Sequence, residues 1–419
     1  MTGGKGITLG RSCPPRHTGR LRPREAVLEA DDCGPGTNRM RFLMLNWRDP
    51  ENPEAGGAER VSLAFMRALR ERGHEVFWFS NSFPGAAPAY ERDGICFVRG
   101  GGKGTSVLAA LRWYRRQPRF DLVIDQHHGI PWYAPWWCRT RCLAYIHEVL
   151  GPIWHVFYPG ILGWIGRWQE RWTHWLYRHV PFWVPSPSTR RALEAHGVRH
   201  VTWLPNGCDT PPLPRLDPKP LTPPARLIVV SRLAPNKRVD HALHALALLL
   251  QRGLQAELTV VGGGAMEQPL KELAHRMDLT HRVRFTGPLP ETAKNEELRR
   301  AHFLLHSSVR EGWGLNVIEA NAMGTPAIVY PVDGLVDSTL DGRTGWVVAH
   351  EHPEDLAETV CRVWQNPGEY EACRRRAWER SRRFQWCEVL PRVTRWLEAQ
   401  ARGDSAAARA VAAEVAHLL

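Results

Sequence analysis

The chain lacks several features that would assign it to a protein class at once. None of its 419 residues belongs to an apolar run of 18 or more, so no transmembrane helix is predicted. Its nine cysteines are odd in number, scattered along the chain and free of any Cys-x-x-Cys pair. We therefore predict neither a disulfide framework nor a zinc site, and we expect a reducing, cytoplasmic compartment.

The chain also lacks the Gly-x-Gly-x-x-Gly fingerprint of dinucleotide-binding domains. Gly262 to Gly264 follow an apolar run, but no acidic residue stands about 20 residues later to hold a ribose. No Asp-x-Asp motif follows a predicted strand either. The sequence therefore predicts no nicotinamide cofactor and no metal ion.

Positively charged residues are in excess. Lysine and arginine number 55 against 43 aspartates and glutamates, a net charge of +12. A basic surface suits nucleic acid, anionic lipid or phosphorylated substrates, and the charge does not choose among them. A nucleic-acid binder is one alternative, but the chain has no RRM, KH or helix-turn-helix signature, so we predict no nucleic-acid partner.

One stretch, residues 307–337, combines two acids with a glycine turn. Glu311 and Glu319 flank Gly312-Trp313-Gly314, which follows an apolar strand-like run and precedes a predicted helix. Such a helix start offers free N–H groups and partial positive charge to a phosphate. The acids would then accept hydrogen bonds from hydroxyls on either side, as in a nucleotide sugar. A helix-capping Glu311 and a solvated Glu319 are the alternative interpretation.

Two further positions have the chemistry of a ligand site. Arg232 ends a predicted strand and Lys237 precedes a predicted helix, so the pair can clamp a diphosphate, although two solvated charges would give the same pattern. His147 ends another strand, where ligands bind in doubly wound sheets. It could equally be a structural hydrogen-bonder, and His127 and His128 are weaker candidates.

In order along the chain, these features resemble the retaining, glycogen-synthase-like GT-B glycosyltransferases of family 4. The resemblance runs from Met40 to about Ala399. It includes Gly-Gly-Ala-Glu at 56–59, Pro-Asn-Gly-x-Asp at 205–209 and the acid pair with seven residues between. It implies an α/β fold of the GT-B type, in which two doubly wound Rossmann-like domains face a cleft.

The resemblance also assigns roles. It implies catalytic contacts with the transferred sugar from His147 and Glu311. Donor binding is implied for a larger set. Arg232 and Lys237 would contact the diphosphate, Glu319 the ribose and Leu289 the base, with Lys294 as a weaker candidate for the base pocket. The other implied donor-binding residues are Gly57, Gly314, Leu315 and Asn316. The family's usual glycines beside Arg232 and Lys237 are Ser231 and Arg238 here, which puts the loop shape in question.

The domain organisation follows from composition and from the resemblance together. Residues 1–39 are rich in glycine, proline and arginine and are predicted to be a disordered extension. We predict an acceptor-side domain at 40–212 and a nucleotide-sugar domain at 213–385. Residues 386–419 are predicted to contain a helix that crosses back to the first domain, followed by a loose tail.

An aromatic segment, residues 149–183, permits two interpretations. Trp164, Trp168, Trp172 and Trp175 recur at helical spacing among arginines. They predict either a helix packed in the core of its own domain or an interfacial surface that lies on a membrane. In the second case the protein would be peripheral at the inner face of the membrane.

The expected function is transfer of a sugar from a nucleoside diphosphate sugar, as co-substrate, to a glycan, glycolipid or lipid-linked acceptor. Retention at the anomeric carbon and independence of metal ions are expected with it. A catalytically silent protein of the same fold, which binds nucleotide sugar or glycan, is the alternative.

Overall fold

Two parallel sheets organise the chain. The structure is a computed structural model that describes residues 39–102 and 104–416, so the extension predicted at 1–39 lies, apart from Arg39, outside the described residues. The first sheet has eight strands in the order β3-β4-β2-β1-β5-β6-β7-β8, and only the β3–β4 pair is antiparallel. Its strands are β1 (Arg41–Leu45), β2 (Glu75–Ser80), β3 (Ala89–Arg92), β4 (Ile95–Arg99), β5 (Leu122–Gln126), β6 (Arg141–Tyr145), β7 (Phe182–Val184) and β8 (Val201–Trp203).

The second sheet has six strands, all parallel, in the order β11-β10-β9-β12-β13-β14. The strands are β9 (Ala225–Val230), β10 (Ala256–Val261), β11 (Val283–Gly287), β12 (Phe303–His306), β13 (Ala327–Val329) and β14 (Gly345–Val347). The central strands of both sheets are apolar at successive positions, because helices cover both faces. The runs Phe42–Leu45 and Phe303–Leu305 are buried throughout.

Helices connect the parallel strands, as a doubly wound sheet requires. Those of the first half are α1 (Gly57–Glu71), α2 (Ser106–Tyr114), α3 (Ile153–Phe157), α4 (Ile161–Leu176) and α5 (Pro187–Ala195). Those of the second half are α6 (Val239–Gln251), α7 (Glu267–Arg276), α8 (Glu291–Arg300), α9 (Leu315–Ala322), α10 (Leu335–Ser338), α11 (Pro353–Trp364) and α12 (Pro367–Ser381). Two more follow, α13 (Trp386–Arg402) and α14 (Ser405–Ala416).

The last two helices belong to the core of the first sheet, although they follow the second sheet in the chain. Val393 and Trp396 of α13 are buried in the cluster that contains Phe42 and Trp183. Arg72 at the end of α1 also pairs with Glu398 of α13. The two sheets, each covered by helices, confirm the predicted fold class. The exact domain boundaries stay predictions.

The prediction that the aromatic helix packs in the core is wrong. In α4 the buried positions are small or polar, for example Gly163, Gly166 and Glu170. A Cβ on Gly166 would lie 2.3 Å from the Trp154 ring, so the glycine lets α4 approach α3 closely. The four tryptophans point the other way, with exposed fractions of 61% (Trp164), 69% (Trp168), 42% (Trp172) and 53% (Trp175).

Candidate active site

The predicted site residues follow the carboxyl ends of strands from both sheets. His147 comes after β6, Arg232 after β9, Leu289 after β11 and Glu311 after β12. In parallel α/β sheets, the loops at this edge form the ligand crevice, because the helix starts and strand ends meet there. A shared strand polarity therefore brings together side chains that lie far apart in the sequence.

Lys237 and Glu311 form an ion pair. Lys237 Nζ donates a hydrogen bond to Glu311 Oε1, and both side chains are largely buried. His306 Nε2 lies 3.6 Å from the same oxygen. Burial by itself would raise the pKa of Glu311, but Lys237 and His306 more than offset it and hold the pKa below its usual value. Glu311 is therefore an ionised acceptor at neutral pH.

The turn after Glu311 has a shape that depends on its glycines. Gly314 has a φ of 79°, the left-handed conformation that glycine adopts without strain. A Cβ on Gly312 would lie 2.5 Å from the carbonyl oxygen of His147. Trp313, between them, is buried against Phe384. The turn thus places the start of α9 directly beside the end of β6.

The start of α9 contains the predicted phosphate-facing residues Gly314, Leu315 and Asn316. No side chain among the described residues caps its first turn, in which the Val317 N–H donates to the Gly314 carbonyl oxygen at 3.0 Å. Asn316 Nδ2 donates to the carbonyl oxygen of Val230 at the end of β9, 2.8 Å away. This bond ties the helix start to the strand that leads to Arg232.

His147 is held by its neighbours as a neutral ring. Gln126 Nε2 lies 3.1 Å from His147 Nε2, and the His128 ring stacks on it with centroids 5.6 Å apart. Burial, with a further contribution from His128, lowers the pKa of His147 well below its usual value. Ser62 Oγ donates to Gln126 Oε1 at 2.7 Å. The chain Ser62–Gln126–His147 therefore orients the imidazole from α1.

The two weaker histidine candidates differ in position. His127 is buried, bonded to Asp125 at 3.1 Å, and packs on Tyr177, so it is a structural hydrogen-bonder. His128 stacks on His147 within the site. Burial lowers the pKa of His128 to about 4; Glu59 opposes this effect, and the nearby positive charge of Arg232 adds to it.

Gly57 lies where the first sheet's opening helix meets the second half of the chain. A Cβ at Gly57 would be 3.9 Å from Leu315 Cδ1, which places the glycine against the start of α9. Glu59 Oε2 accepts a hydrogen bond from the Gly56 N–H at 2.7 Å and so caps α1. Glu59, the acid of the Gly-Gly-Ala-Glu motif, therefore caps the helix to which it belongs.

The loop between Arg232 and Lys237 keeps a glycine-like shape despite its substitutions. Arg238 has a φ of 46°, in the left-handed region that glycine favours. Its guanidinium donates to the carbonyl oxygens of Ser307 and Ser308, each at 2.8 Å, and these contacts hold the conformation. Arg232 is exposed, whereas Lys237 is turned toward Glu311. Both cations lie at the crevice, and their roles stay predictions.

Glu319 lies on α9 and is paired with two cations. Lys294 Nζ is 2.9 Å from Glu319 Oε2, and Arg60 Nη2 from α1 is 3.5 Å from Oε1. Arg60 also contacts Asp209 at 3.1 Å and Glu291 at 3.1 Å. Glu319 is buried, so the solvated interpretation is wrong. Leu289 lies one residue before the N-cap of α8, whose residues include Glu291 and Lys294.

Glu148 is a further residue of this crevice, which the sequence patterns did not indicate. Its Oε2 is buried without a hydrogen-bond partner among the described residues. Burial, with a smaller contribution from the charge of Glu311, raises the pKa of Glu148 to about 7, against the opposing effect of Lys237 and Arg310. Its position directly after His147 was the available signal, since strand-end neighbours share a crevice.

Two other contributors were also missed. Gln126 directly follows the predicted strand 120–125, which was a usable signal for a polar side chain at the ligand edge. Arg60 had no such signal, because its partners Glu291 and Glu319 are more than 230 residues away in the sequence. Among the described residues, no group of three or more His, Cys, Asp or Glu side chains is arranged to hold a metal ion.

Together these residues form a crevice with alternating charge. Lys237, Arg232 and the first turn of α9 offer positive potential suited to a diphosphate. Glu311 and Glu319 lie on the two sides of that helix start and accept hydrogen bonds from hydroxyl groups. The arrangement can bind a ligand that has phosphate in the middle and polyols at both ends.

Two family models match the chain. The model described as Glycosyltransferase Family 4 matches residues 55–211, and the model described as Glycosyl transferases group 1 matches residues 217–380. Together they include every strand of the two sheets except β1, and each of the predicted site residues.

Curated relatives match over part of their length. Glycogen synthase of Mycobacterium tuberculosis is 29% identical over 254 residues, which is 58% of this chain and 61% of that protein. D-inositol 3-phosphate glycosyltransferase 2 of Catenulispora acidiphila is 34% identical over 171 residues, 39% of this chain and 40% of that protein. The chain thus spans about three fifths or less of these two relatives.

Solved structures share the fold. Sucrose-phosphate synthase of Thermosynechococcus elongatus superimposes with a TM-score of 0.71 at 19% identity, covering 88% of this chain and all of that one. HepE of Anabaena, solved in complex with UDP-glucose, gives a TM-score of 0.65 at 16% identity, with 86% of this chain and all of that chain covered. At these identities the likeness concerns the fold alone.

Proposed function

Because the chain belongs to the GT-B glycosyltransferases of family 4, we propose that it transfers a sugar from a nucleoside diphosphate sugar to a glycan, glycolipid or lipid-linked acceptor. We propose further that the reaction retains the anomeric configuration and needs no metal ion. The observation that carries the proposal is the Lys237–Glu311 pair at the uncapped start of α9, with His147 beside it.

In the proposed reaction, the bond between the anomeric carbon and the diphosphate oxygen breaks. The diphosphate leaves with the electron pair, and its charge is stabilised by Arg232, Lys237 and the N–H groups at Gly314 to Asn316. The acceptor hydroxyl forms its bond to the same face of the sugar and gives its proton to the departing phosphate. Glu311 holds sugar hydroxyls, and Glu319 holds those of the ribose.

His147 contributes as a neutral group. Its low pKa means that it stays uncharged at neutral pH and adds no positive charge to a carbon that is becoming cationic. The hydrogen bond from Gln126 fixes the imidazole ring. The backbone carbonyl oxygen of His147 accepts a hydrogen bond from Thr189 Oγ1 at 3.3 Å. We assign His147 to contact with the transferred sugar on this basis.

The test is release of nucleoside diphosphate from a panel of UDP- and GDP-sugars, measured with candidate acceptors and with EDTA. Lys237→Ala is the inactive variant, and Lys271→Ala, which removes the surface pair with Glu267 at 2.6 Å, is the matched control. Turnover that survives EDTA and is lost only in Lys237→Ala supports the proposal. Binding of donor without turnover by any acceptor would favour the catalytically silent alternative.

We propose a peripheral, cytoplasmic position at the inner face of a membrane as part of this function. Nine of the twelve exposed large hydrophobic side chains among the described residues lie between Phe157 and Trp175. The sole acid in residues 149–183, Glu170, points inward and accepts from the Leu150 and Gly151 N–H groups at 2.6 and 2.9 Å. The outward face is therefore apolar and cationic, which suits an anionic lipid surface.

The described residues contain no helix with the length and apolarity that crossing a bilayer requires. A surface-lying helix is the contact we propose instead. Through Glu170, the inner face of α4 fixes the loop that follows His147 and Glu148, so the aromatic face and the acceptor side of the crevice belong to one structural unit. A lipid-linked acceptor would meet the site from this side.

A further inference from the structure

A cavity lies away from the crevice, between the proline-rich linker that follows β8 (residues 211–224) and the helices of the second sheet. It has a volume of about 380 Å³. Cations dominate its charged lining, which consists of Lys219, Arg226, Arg299, Arg300, Arg374 and a single acid, Asp217. Volumes of this size accommodate small organic ligands.

Carboxylates compensate part of this charge, since Arg300 pairs with Glu296 at 3.1 Å and Arg374 with Glu371 at 2.9 Å, whereas Lys219 and Arg226 form no ion pair among the described residues. Asp217 is shared between Arg299, at 3.1 Å, and Arg215, at 3.3 Å. Lys219 Nζ donates to three neutral acceptors, the carbonyl oxygens of Ala301 and Gly324 and the hydroxyl of Thr325, at 2.7 to 2.9 Å. These three acceptors satisfy the hydrogen bonds of Lys219, but none of them is a carboxylate that would oppose its positive charge.

Burial and the neighbouring cations both affect the pKa of two titratable groups here. Burial and the charges of Arg374, Arg226 and Arg299 lower the pKa of Lys219 well below its usual value. Burial, Arg226 and Lys219 lower the pKa of His302 to about 3. The His302 Nε2 atom lies 2.7 Å from Arg226 Nη2, where a neutral ring can accept a hydrogen bond.

We propose that this cavity binds a compact phosphate monoester, of the size of a phosphorylated monosaccharide, at a site separate from the donor crevice. The cationic lining supplies charge-assisted donors, and Arg299 and Arg300 are exposed at its rim. Arg374 already joins the linker to the end of α9, since it donates to the carbonyl oxygens of Asp217 and Gly324. A bound phosphate therefore reinforces the contact between the linker and the helix that begins at the donor site.

The test measures binding of two probes, inorganic phosphate and glucose 6-phosphate, to the full chain by titration calorimetry and thermal unfolding at constant ionic strength. All measurements use the Lys237→Ala background as well as the parent, because that substitution removes the cation predicted to hold phosphate in the donor crevice. Glucose is the uncharged control. Binding in this background is independent of sugar transfer, so its failure and failure of the proposed function are distinguishable.

Arg299→Gln with Arg300→Gln tests the cavity, and Arg252→Gln with Arg276→Gln is the matched control, since these arginines are exposed at the ends of α6 and α7. We expect glucose 6-phosphate to raise the unfolding temperature of the parent and of Lys237→Ala. Removing the two rim cations should weaken its affinity roughly tenfold or more, and the control pair should not. Equal binding by the rim variant, loss of binding in Lys237→Ala alone, or absence of binding throughout would overturn the proposal.

Discussion

Lys237 pairs with Glu311 across the loops that follow β9 and β12, and both side chains are largely buried. The ammonium group is predicted to hold the diphosphate, and the carboxylate is predicted to hold the sugar. The pairing compensates two largely buried charges, either of which would be costly if left unpaired. It also fixes the positions of the two predicted contacts relative to each other.

The first prediction concerns this pair. Lys237→Ala and Glu311→Ala should each lower kcat/KM for sugar transfer by roughly 10²- to 10³-fold, because each removes a charged contact to the reacting part of the donor. The double variant should lose less than the product of the two single losses, since the residues act as a unit. Steady-state diphosphate release measures all three.

The surface pair Lys271 and Glu267 provides the control for these substitutions. Alanine at Lys271 should leave turnover unchanged, because its side chain is exposed on α7 and its partner Glu267 lies on the same helix. Near-parental turnover in both Lys237→Ala and Glu311→Ala, with the fold intact by circular dichroism, would defeat the assignment of the crevice as the active site.

The second prediction separates donor binding from catalysis at Glu319. Glu319→Gln keeps the shape but removes the charge that Lys294 and Arg60 share. Affinity for a nucleoside diphosphate should fall by roughly 10- to 100-fold, the range expected when a charged hydrogen-bond acceptor is lost. Equilibrium titration with UDP and GDP measures it.

Glu291→Gln is the matched control, because Glu291 pairs with the same two cations but is half exposed. We expect it to change affinity by less than about threefold, as for a solvated ion pair. Equal losses in the two variants would mean that the cation network, and not the Glu319 carboxylate, determines nucleotide affinity.

The sequence predicted the fold, and it located the strand ends at which the predicted site residues lie, for identifiable reasons. Buried parallel strands are continuous apolar runs, and the helices between them end at glycines or polar turns, so strand ends such as His147 and Arg232 could be located. The pair Glu311 and Glu319 flanks a glycine turn at fixed spacing. Local patterns of this kind survive in the structure because they depend on neighbouring residues.

Contacts between distant segments were not predictable in the same way. Arg60 reaches Glu319 from the other half of the chain, and Gln126 reaches His147 from the adjacent strand. Helical spacing alone placed the tryptophans of α4 on one face but did not say which face was buried. That choice depended on Gly163 and Gly166, whose missing side chains let the opposite face pack.

The third prediction concerns Glu148 and pH. Because the pKa of Glu148 is raised to about 7, the folded state holds a proton there that the unfolded state releases near pH 4.5. Its contribution therefore disfavours the folded state increasingly as pH rises from about 4.5 to 7, by on the order of 2 to 3 kcal/mol. Glu148→Gln should raise the free energy of unfolding at pH 8 and leave it unchanged at pH 4.

Denaturant titration of parent and variant at both pH values measures this difference. Glu71→Gln, at an exposed position at the end of α1, should show no pH-dependent difference from the parent. An equal effect of Glu148→Gln at pH 4 and pH 8 would show that the carboxyl does not titrate with a raised pKa.

The fourth prediction concerns the exposed face of α4. Trp164→Ser with Trp168→Ser should leave the fold intact, because both side chains are more than half exposed. Each substitution should weaken binding to vesicles of phosphatidylcholine and phosphatidylglycerol by roughly tenfold, through lost apolar burial at the interface. Sedimentation with vesicles measures it, and Leu108→Ser, an exposed apolar position on α2, is the control.

Charge and apolar contact can be separated on the same face. Arg171→Glu reverses an exposed cation among the tryptophans, so it should weaken binding to anionic vesicles while binding to neutral ones changes little. Added salt should reduce only the anionic component, because exposed charges are screened. If the tryptophan variant bound vesicles as well as the parent, the aromatic face would not be the membrane contact. Activity on a water-soluble acceptor should persist in every variant, since Glu170 and the loop it holds lie on the inner face of α4.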